Sequence, residues 1–274
     1  MRKAGNRLRF ESLDAALLSV LIFLLLLVII PFLNVLSISL STNRAFLESG
    51  FMIFPRQFTL SNYMGMFRDG RIWIGYRTSL LYLLIGVPVN IFLTITLSYG
   101  LSRLKFPGGR FLFYAILVTL LFNGGIVPMY LLMMQLRLIN NIWSVILASG
   151  VNTFYFLIMR TYMLSLPDSI LESAKIDGAG EWRILFRIVI PLAMPIIATM
   201  ILFYSVDRWN EWFYPMMFIR NTHLVPLQLI IRNYRGTEGV NMAVIITVML
   251  PIMFIFPFLQ KYFVKGIMLG AIKA

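Results

Sequence analysis

An all-helical, polytopic membrane protein is the fold class this chain predicts, and three observations predict it. Hydrophobic residues make up 59% of its 274 residues, the mean hydropathy is +0.84 and only 13% of residues are charged, far from the composition of soluble domains. Six apolar runs of about 20 residues, the length a helix needs to cross a bilayer, are separated by polar turns. Lys and Arg show a modest excess in the turns that would lie on one face of the membrane, as the positive-inside tendency requires. A single membrane domain is expected over residues 1–274, with six transmembrane helices and no internal repeat.

The first run, Leu13 to Leu36, follows Arg2, Lys3, Arg7 and Arg9. It is too long for a signal-peptide core and no small-residue cleavage pattern follows Pro31, so it is expected to stay as an anchor with the N-terminus cytoplasmic. Ser37 to Arg71 would lie outside, and Phe54-Pro55, Leu60-Ser-Asn-Tyr63 and Trp73 predict an ordered segment with short amphipathic pieces. The second run, about Tyr76 to Leu101, contains Pro88 and Asn90 and ends in a basic turn through Arg103, Lys105 and Arg110. Within the third, Phe111 to Met134, the stretch Asn123-Gly-Gly-Ile-Val-Pro128 predicts a break, tolerable only against protein or water. Asn152 and Thr153 stand near the middle of the fourth, Ile142 to Tyr162. The fifth leaves at Ile188, passes Pro191 and Pro195 and reaches Asp207-Arg-Trp-Asn-Glu-Trp-Phe-Tyr-Pro215 after about 30 Å, near the outer interface. Pro251 and Pro257 are expected to break the sixth, Val240 to Phe258, and Lys261, Lys265 and Lys273 place the C-terminus inside. On this topology the inside segments hold 14 of the 24 Lys and Arg residues although they are the shorter in total.

The polar island between the fourth and fifth runs organises the rest. Asp168 and Ser169, just after Pro167, are acceptors able to start a short surface helix, while the small Ala174, Gly178 and Ala179 would admit another protein's backbone and Gly178 would let the chain bend. Glu172-Ser-Ala, then Gly178, then Ile188-Val-Ile-Pro191 resembles the EAA loop of membrane subunits of binding-protein-dependent ABC importers, and Asp177-Gly178-Ala179 with Pro191-Leu-x-x-Pro195 is most similar to the carbohydrate group that includes the maltose system's second permease. Ser173 replaces the usual Ala, and Ile190 the usual Leu. The resemblance extends over nearly the whole chain, including the closing Gln260-Lys-Tyr-Phe-Val-Lys-Gly266, and implies a type I importer permease fold. It also implies that residues 165–187 form a coupling loop in which Glu172, Ser173, Ala174, Asp177, Gly178 and Ala179 dock on an ATPase subunit. The implied partners are a second homologous permease, two ATP-binding subunits carrying ATP and Mg²⁺, and an extracytoplasmic solute-binding protein; this chain would bind no cofactor itself.

Other function classes are disfavoured. The net charge of +13 comes from scattered basic residues with no stripe for nucleic acid, so membrane lipid is its natural counterpart. Zero Cys and one His exclude thiolate and His-cluster metal sites, and no P-loop motif occurs, so ATP hydrolysis would belong to a partner chain. An ion-coupled secondary transporter is the rival reading, but no Asp or Glu lies deep in an apolar run. A non-transporting scaffold would not need the Glu172-to-Pro195 pattern.

Candidate residues of a substrate pathway are Asn123, Asn152, Trp209, Asn210, Glu211 and Trp212. Flat aromatic faces beside polar groups suit sugars, although Trp and Tyr also gather at membrane interfaces whatever a protein does. Amides at membrane depth also serve interhelical hydrogen bonding, and Asp207 with Arg208 reads equally as a structural ion pair. An oligosaccharide is the expected substrate. Phe122-Asn-Gly-Gly125 and Leu138-Ile-Asn-Asn-Ile-Trp143 resemble stretches in permeases for polysaccharide fragments, including acidic alginate-like or uronate-like ones, and the external arginines would suit an anion.

Overall fold

The computed structural model describes residues 2–103 and 106–271, and the side chains of residues 14–103 and 106–254. The basic side chains expected to hold the termini inside, and Lys105 in the turn after the second run, lie outside the described residues. Every apolar run is helical. Among the described residues, Asp14–Ser39 and Gly70–Arg103 are each long and apolar enough to cross a membrane alone, two further pairs of helices meet the same criterion as bent spans, and Gly109–Leu121, Ile126–Gln135 and Glu238–Phe254 are shorter apolar helices.

By packing, the chain falls into two units. One comprises residues 1–70 with 233–250. Its first helix, α1 (Arg2–Ser39), is exposed and apolar on every face from Leu17 to Ile30, as a lipid-immersed span is. The polar segment behind it is ordered, as its sequence predicts. Thr42 caps α2 (Asn43–Ser49) by accepting from Ala45 N, and from α3 (Ser61–Arg68) the Asn62 amide donates to Ser39 O at 3.0 Å and Ser41 O at 2.8 Å. Ser37 Oγ adds a bond to Ile53 O at 2.6 Å. Gly239 passes so close to Asn62 that a Cβ there would lie 2.5 Å from Nδ2.

Residues 71–232 with 251–274 form the other unit. It begins on α4 (Gly70–Leu81), which continues through a π turn at Tyr82–Gly86 into α5 (Val87–Arg103). Next come α6 (Gly109–Leu121), α7 (Ile126–Gln135), α8 (Ile142–Ala148) and α9 (Thr153–Leu164). The polar island forms α10 (Asp168–Ile176) and α11 (Glu181–Ile184), and a second π turn, Leu185–Val189, leads to α12 (Ile190–Leu192) and α13 (Met194–Trp209). The short α14 (Phe213–Phe218) and α15 (Leu227–Asn233) precede the last helix, α16 (Glu238–Ala271). Both π turns have one physical cause. Pro88 and Pro191 each stand two residues past a π turn, and the carbonyls their rings would strike in a regular helix, at residues 84 and 187, lie inside the widened turns.

Helices α5, α9 and α13 enclose the core around Ile95, Tyr99, Met159, Met163, Ile196 and Met200, to which α10 and α11 add Leu171, Ala174 and Ile184. Methionines fill gaps here, as unbranched side chains can.

The breaks only partly follow the expectation. The third run parts at Phe122–Gly125 as its Gly-Gly pair predicts, with Gly125 at φ +93° and its N–H capped by Asn123 Oδ1 at 2.9 Å. The fourth run, expected as one span, is two helices bent by 56°, because Asn152 starts a new helix by accepting from Phe154 N at 2.9 Å and Tyr155 N at 3.3 Å. Between Pro191 and Pro195 the fifth run turns by 83° at Ala193. The sixth is a correction: α16 runs unbroken through Pro251 and Pro257, since losing one N–H bond costs less in a membrane than freeing a whole turn of backbone.

Candidate functional site

Two sites lie at opposite ends of α5. The first is the polar island. Asp168 does not cap α10 as expected; Pro167 is the N-cap residue with no side-chain bond, and the Asp168 carboxylate instead meets Arg103 from the end of α5. At the other end, Ala179 N donates to Ala174 O at 2.9 Å and Gly178 N to Lys175 O at 3.0 Å, a Schellman ending with Gly178 at φ +75°. Glycine is therefore required here by backbone conformation, because the space a Cβ would occupy is open.

Six residues were expected to face a partner, and the structure divides them. Glu172, Ser173, Asp177 and Gly178 are exposed, and Ala179 is half-buried. Ala174 is only 8% exposed and packs into the chain's own core, so its small side chain lets α10 approach the bundle rather than a partner. The outward apolar residues are others: Ile176 is 86% exposed, and Trp182 and Phe186 stack at 5.9 Å on the surface.

The island is pinned to α5 at both ends. Arg103 donates to Asp168 Oδ1 and to the carbonyls of Met163 and Leu166. Four residues earlier, Tyr99 OH donates to Glu181 Oε2 at 2.5 Å while Lys175 Nζ pairs with Glu181 Oε1 at 2.7 Å. Side-chain bonds thus link α10 to α5 directly through Asp168 and indirectly through Lys175 and Glu181. Arg103 and Tyr99 carried no sequence signal beyond a helix end and an apolar run.

The second site is a hollow of about 380 Å³ near the other end of α5. Its wall includes Asn152, Thr153, Tyr204, Asp207, Glu211 and Tyr214. Asp207 accepts from Tyr155 OH at 3.0 Å, and Glu211 Oε1 accepts from Tyr214 N at 3.3 Å. Arg208 makes no pair with Asp207, since adjacent helical residues point about 100° apart. It turns inward, 2% exposed, and spends every donor on protein: Nε on Asn90 Oδ1 at 3.0 Å, Nη1 on Val145 O at 3.2 Å and Ser149 Oγ at 2.9 Å, Nη2 on Ile146 O at 2.9 Å and Ser149 O at 3.2 Å. The carbonyls are those freed where α8 ends, and Glu211 Oε2 stands 3.9 Å away. Asn90 completes the junction by donating to Ser149 O at 2.8 Å and Gly150 O at 2.7 Å. Gly86, in the π turn, leaves the room: a Cβ there would lie 2.9 Å from Arg208 Nε.

Of the six pathway candidates, Asn152 and Glu211 share this hollow. Asn123 serves the third-run break. Trp209 is buried on another face, 6.2 Å from Tyr76, where it lines a separate apolar cavity of about 460 Å³ with Leu83 and Ile201. Asn210 accepts from Gln228 Nε2 at 3.3 Å, and Trp212 lies under the Arg232 guanidinium at 4.0 Å. His223 sits in a 3₁₀ turn, as a loop residue.

A helical membrane bundle whose spans are broken and pinned around a polar hollow, with a surface helix inserted between two of them, defines the class: a polytopic transport component. The chain belongs to the family described as binding-protein-dependent transport system inner membrane component, whose model matches residues 4–269. It is 33% identical to Protein LplC of Bacillus subtilis (strain 168) over 89% of each chain. With the polygalacturonan/rhamnogalacturonan transport system permease protein YtcP of the same organism it shares 32% identity over 95% of this chain and 98% of that one. Among solved structures it is similar to a chain of a bacterial ABC transporter involved in the import of the acidic polysaccharide alginate, with a TM-score of 0.85 and 28% identity over 93% of this chain and 96% of that one. The sequence resemblance to ABC importer permeases is thus sound, and the chain is a multi-pass inner-membrane component with the type I permease fold.

Proposed function

We propose that the chain is the non-catalytic permease subunit of an ATP-driven importer of oligosaccharides. One observation carries the reading: an exposed helix with a Schellman ending, α10, is tied at its start through Asp168, and at its end through Lys175 and Glu181 of α11, to a helix whose far end builds the polar hollow. Such a helix can receive a push at the membrane surface and deliver it to the hollow. Glu172, Ser173, Asp177 and Gly178, with Ile176 and Trp182 beside them, would seat on an ATPase subunit, where ATP and Mg²⁺ are bound; Ala174 and Ala179 hold the seat in shape. A second permease of the same fold, a second ATPase subunit and an extracytoplasmic binding protein complete the assembly. Residues 1–274 act in it as one membrane domain.

The substrate class rests on the relatives, one serving polygalacturonan and rhamnogalacturonan transport and the structural neighbour an alginate importer. The hollow's carboxylates, tyrosines and amide offer hydrogen-bond partners to sugar hydroxyls.

The test is affinity purification of the tagged chain from its native membrane, with mass spectrometry of what accompanies it. The wild type should bring down a P-loop ATPase and a second permease, and Ile176→Asp, which disturbs no internal contact, should lose the ATPase and keep the permease. A chain that purifies alone and moves solute on an ion gradient without ATP overturns the proposal.

A further inference from the structure

Resting on the importer reading, the charge of the hollow bears on which sugars pass. The one cation in its wall, Arg208, has five N–H donors and five protein acceptors, so it has none to offer a passing ligand. What the wall presents instead is acceptor-rich: the Asp207 carboxylate, held by the Tyr155 hydroxyl on one oxygen, and the Glu211 carboxylate, held by the Tyr214 N–H. Glu211 Oε2 also pairs with the Arg208 guanidinium at 3.9 Å, so that charge is balanced within the wall and Asp207 leaves the surface of the hollow with a net negative charge. Among the described residues no other arginine lines the hollow; Arg220 donates to Tyr130 OH and Arg232 lies on the Trp212 ring.

We propose that this hollow selects uncharged, hydroxyl-rich saccharides, with Asp207 and Glu211 accepting from sugar hydroxyls, and that it disfavours uronates. A neutral sugar donates to both carboxylates, a bond with an ionised acceptor being the stronger kind. A uronate would bring its own carboxylate towards theirs in a confined space with no free cation. This opposes the acidic substrate that the external arginines and the relatives' substrates point to. Ser149 and Asn90, which hold Arg208 away from the path, are on this view what sets the sign of the wall.

The experiment uses the whole importer, with its ATPases, second permease and binding protein, in proteoliposomes offered an equal mixture of neutral and galacturonic-acid oligosaccharides of three to five units. ATP-dependent accumulation is read by mass spectrometry of the lumen. Wild type should accumulate neutral oligomers at least tenfold over acidic ones. The near-isosteric pair Asp207→Asn and Glu211→Gln, in complexes that still elute as the intact assembly, should lower neutral uptake about tenfold and raise the acidic-to-neutral ratio by a similar factor. Acidic oligomers accumulating as well as neutral ones in the wild type would overturn the selectivity; neutral uptake unchanged in the double variant would overturn the role of the two carboxylates. ATP hydrolysis with no saccharide of either kind accumulating would instead bring down the importer reading for sugars, and the inference with it.

Discussion

Two arginines close the two halves of the fourth apolar run, and they do so in different ways. Arg208, reaching from α13, binds the carbonyls freed where α8 ends; Arg103, at the end of α5, binds Met163 O and Leu166 O where α9 ends. Each supplies a positive charge to the negative end of a helix. Arg208 is sealed in the bundle with all five donors used, whereas Arg103 keeps a buried Nε with no partner and spends its charge on Asp168, an exposed carboxylate on α10. The comparison separates a fixed joint from an adjustable one. The hollow is shaped by a network with no slack, and α10 is held by one ion pair at the surface and one carboxylate bridge.

The largest effect should therefore follow Arg208→Met, which takes from Asn90 Oδ1 and Ile146 O the donor Arg208 gives them and from the Glu211 carboxylate its cation. Removing one side of a buried charged network costs ~3–5 kcal/mol, so the purified protein should lose that much in detergent unfolding or fail to accumulate. Arg208→Lys should recover only part of it, because an ammonium cannot reach five acceptors from one point. Next comes Gly86→Ala, whose new methyl meets Arg208 Nε; overpacking of this kind costs ~1–3 kcal/mol and should lower the unfolding temperature without altering ATPase docking. A loss as small as that of a surface substitution would mean the joint is looser than its geometry.

Arg103→Ala sharpens the other side. Its stability cost should be ~1–2 kcal/mol, the worth of a charged hydrogen-bond group at a helix end, but sugar moved per ATP hydrolysed in the assembled importer should fall several-fold. Equal loss of transport and ATPase activity, with the ratio unchanged, would assign Arg103 to folding alone. Gly178→Ala forces a left-handed residue without glycine and should cost ~1 kcal/mol, read in the same unfolding assay, with α10 otherwise intact. The smallest change is expected for Glu181→Gln: it keeps the Tyr99 bond and loses an exposed ion pair with Lys175 worth ~0.2–1 kcal/mol, and the loss should shrink further in 0.5 M salt.

Much of this molecule was legible as sequence because the signals were local. A stretch of Leu, Ile and Phe spans a membrane wherever it stands, the Gly124-Gly125 pair breaks a helix by its own backbone freedom, and Gly178 after a short charged helix marks a left-handed ending. The family resemblance lay in such a local pattern too. The break at Asn152 was missed because an amide at membrane depth reads equally as an interhelical bond, and only the following N–H groups reveal it as a cap. An ion pair with its neighbour Asp207 was one of two equal readings of Arg208, while its hydrogen-bond partners lie 59 to 118 residues away on α5 and around the end of α8.

By itself, then, the sequence determined the membrane class, the helical runs and the place of the polar island between the fourth and fifth of them, since hydropathy, spacing and turn chemistry act over a few residues. Only the tertiary structure decided which way Ala174 faces, that α5 runs from α10 to the hollow, and that the hollow's single cation is withdrawn from it. Those outcomes depend on which distant carbonyls and hydroxyls come within hydrogen-bonding range of a buried charge, and pairing across more than a hundred residues leaves no trace in local pattern.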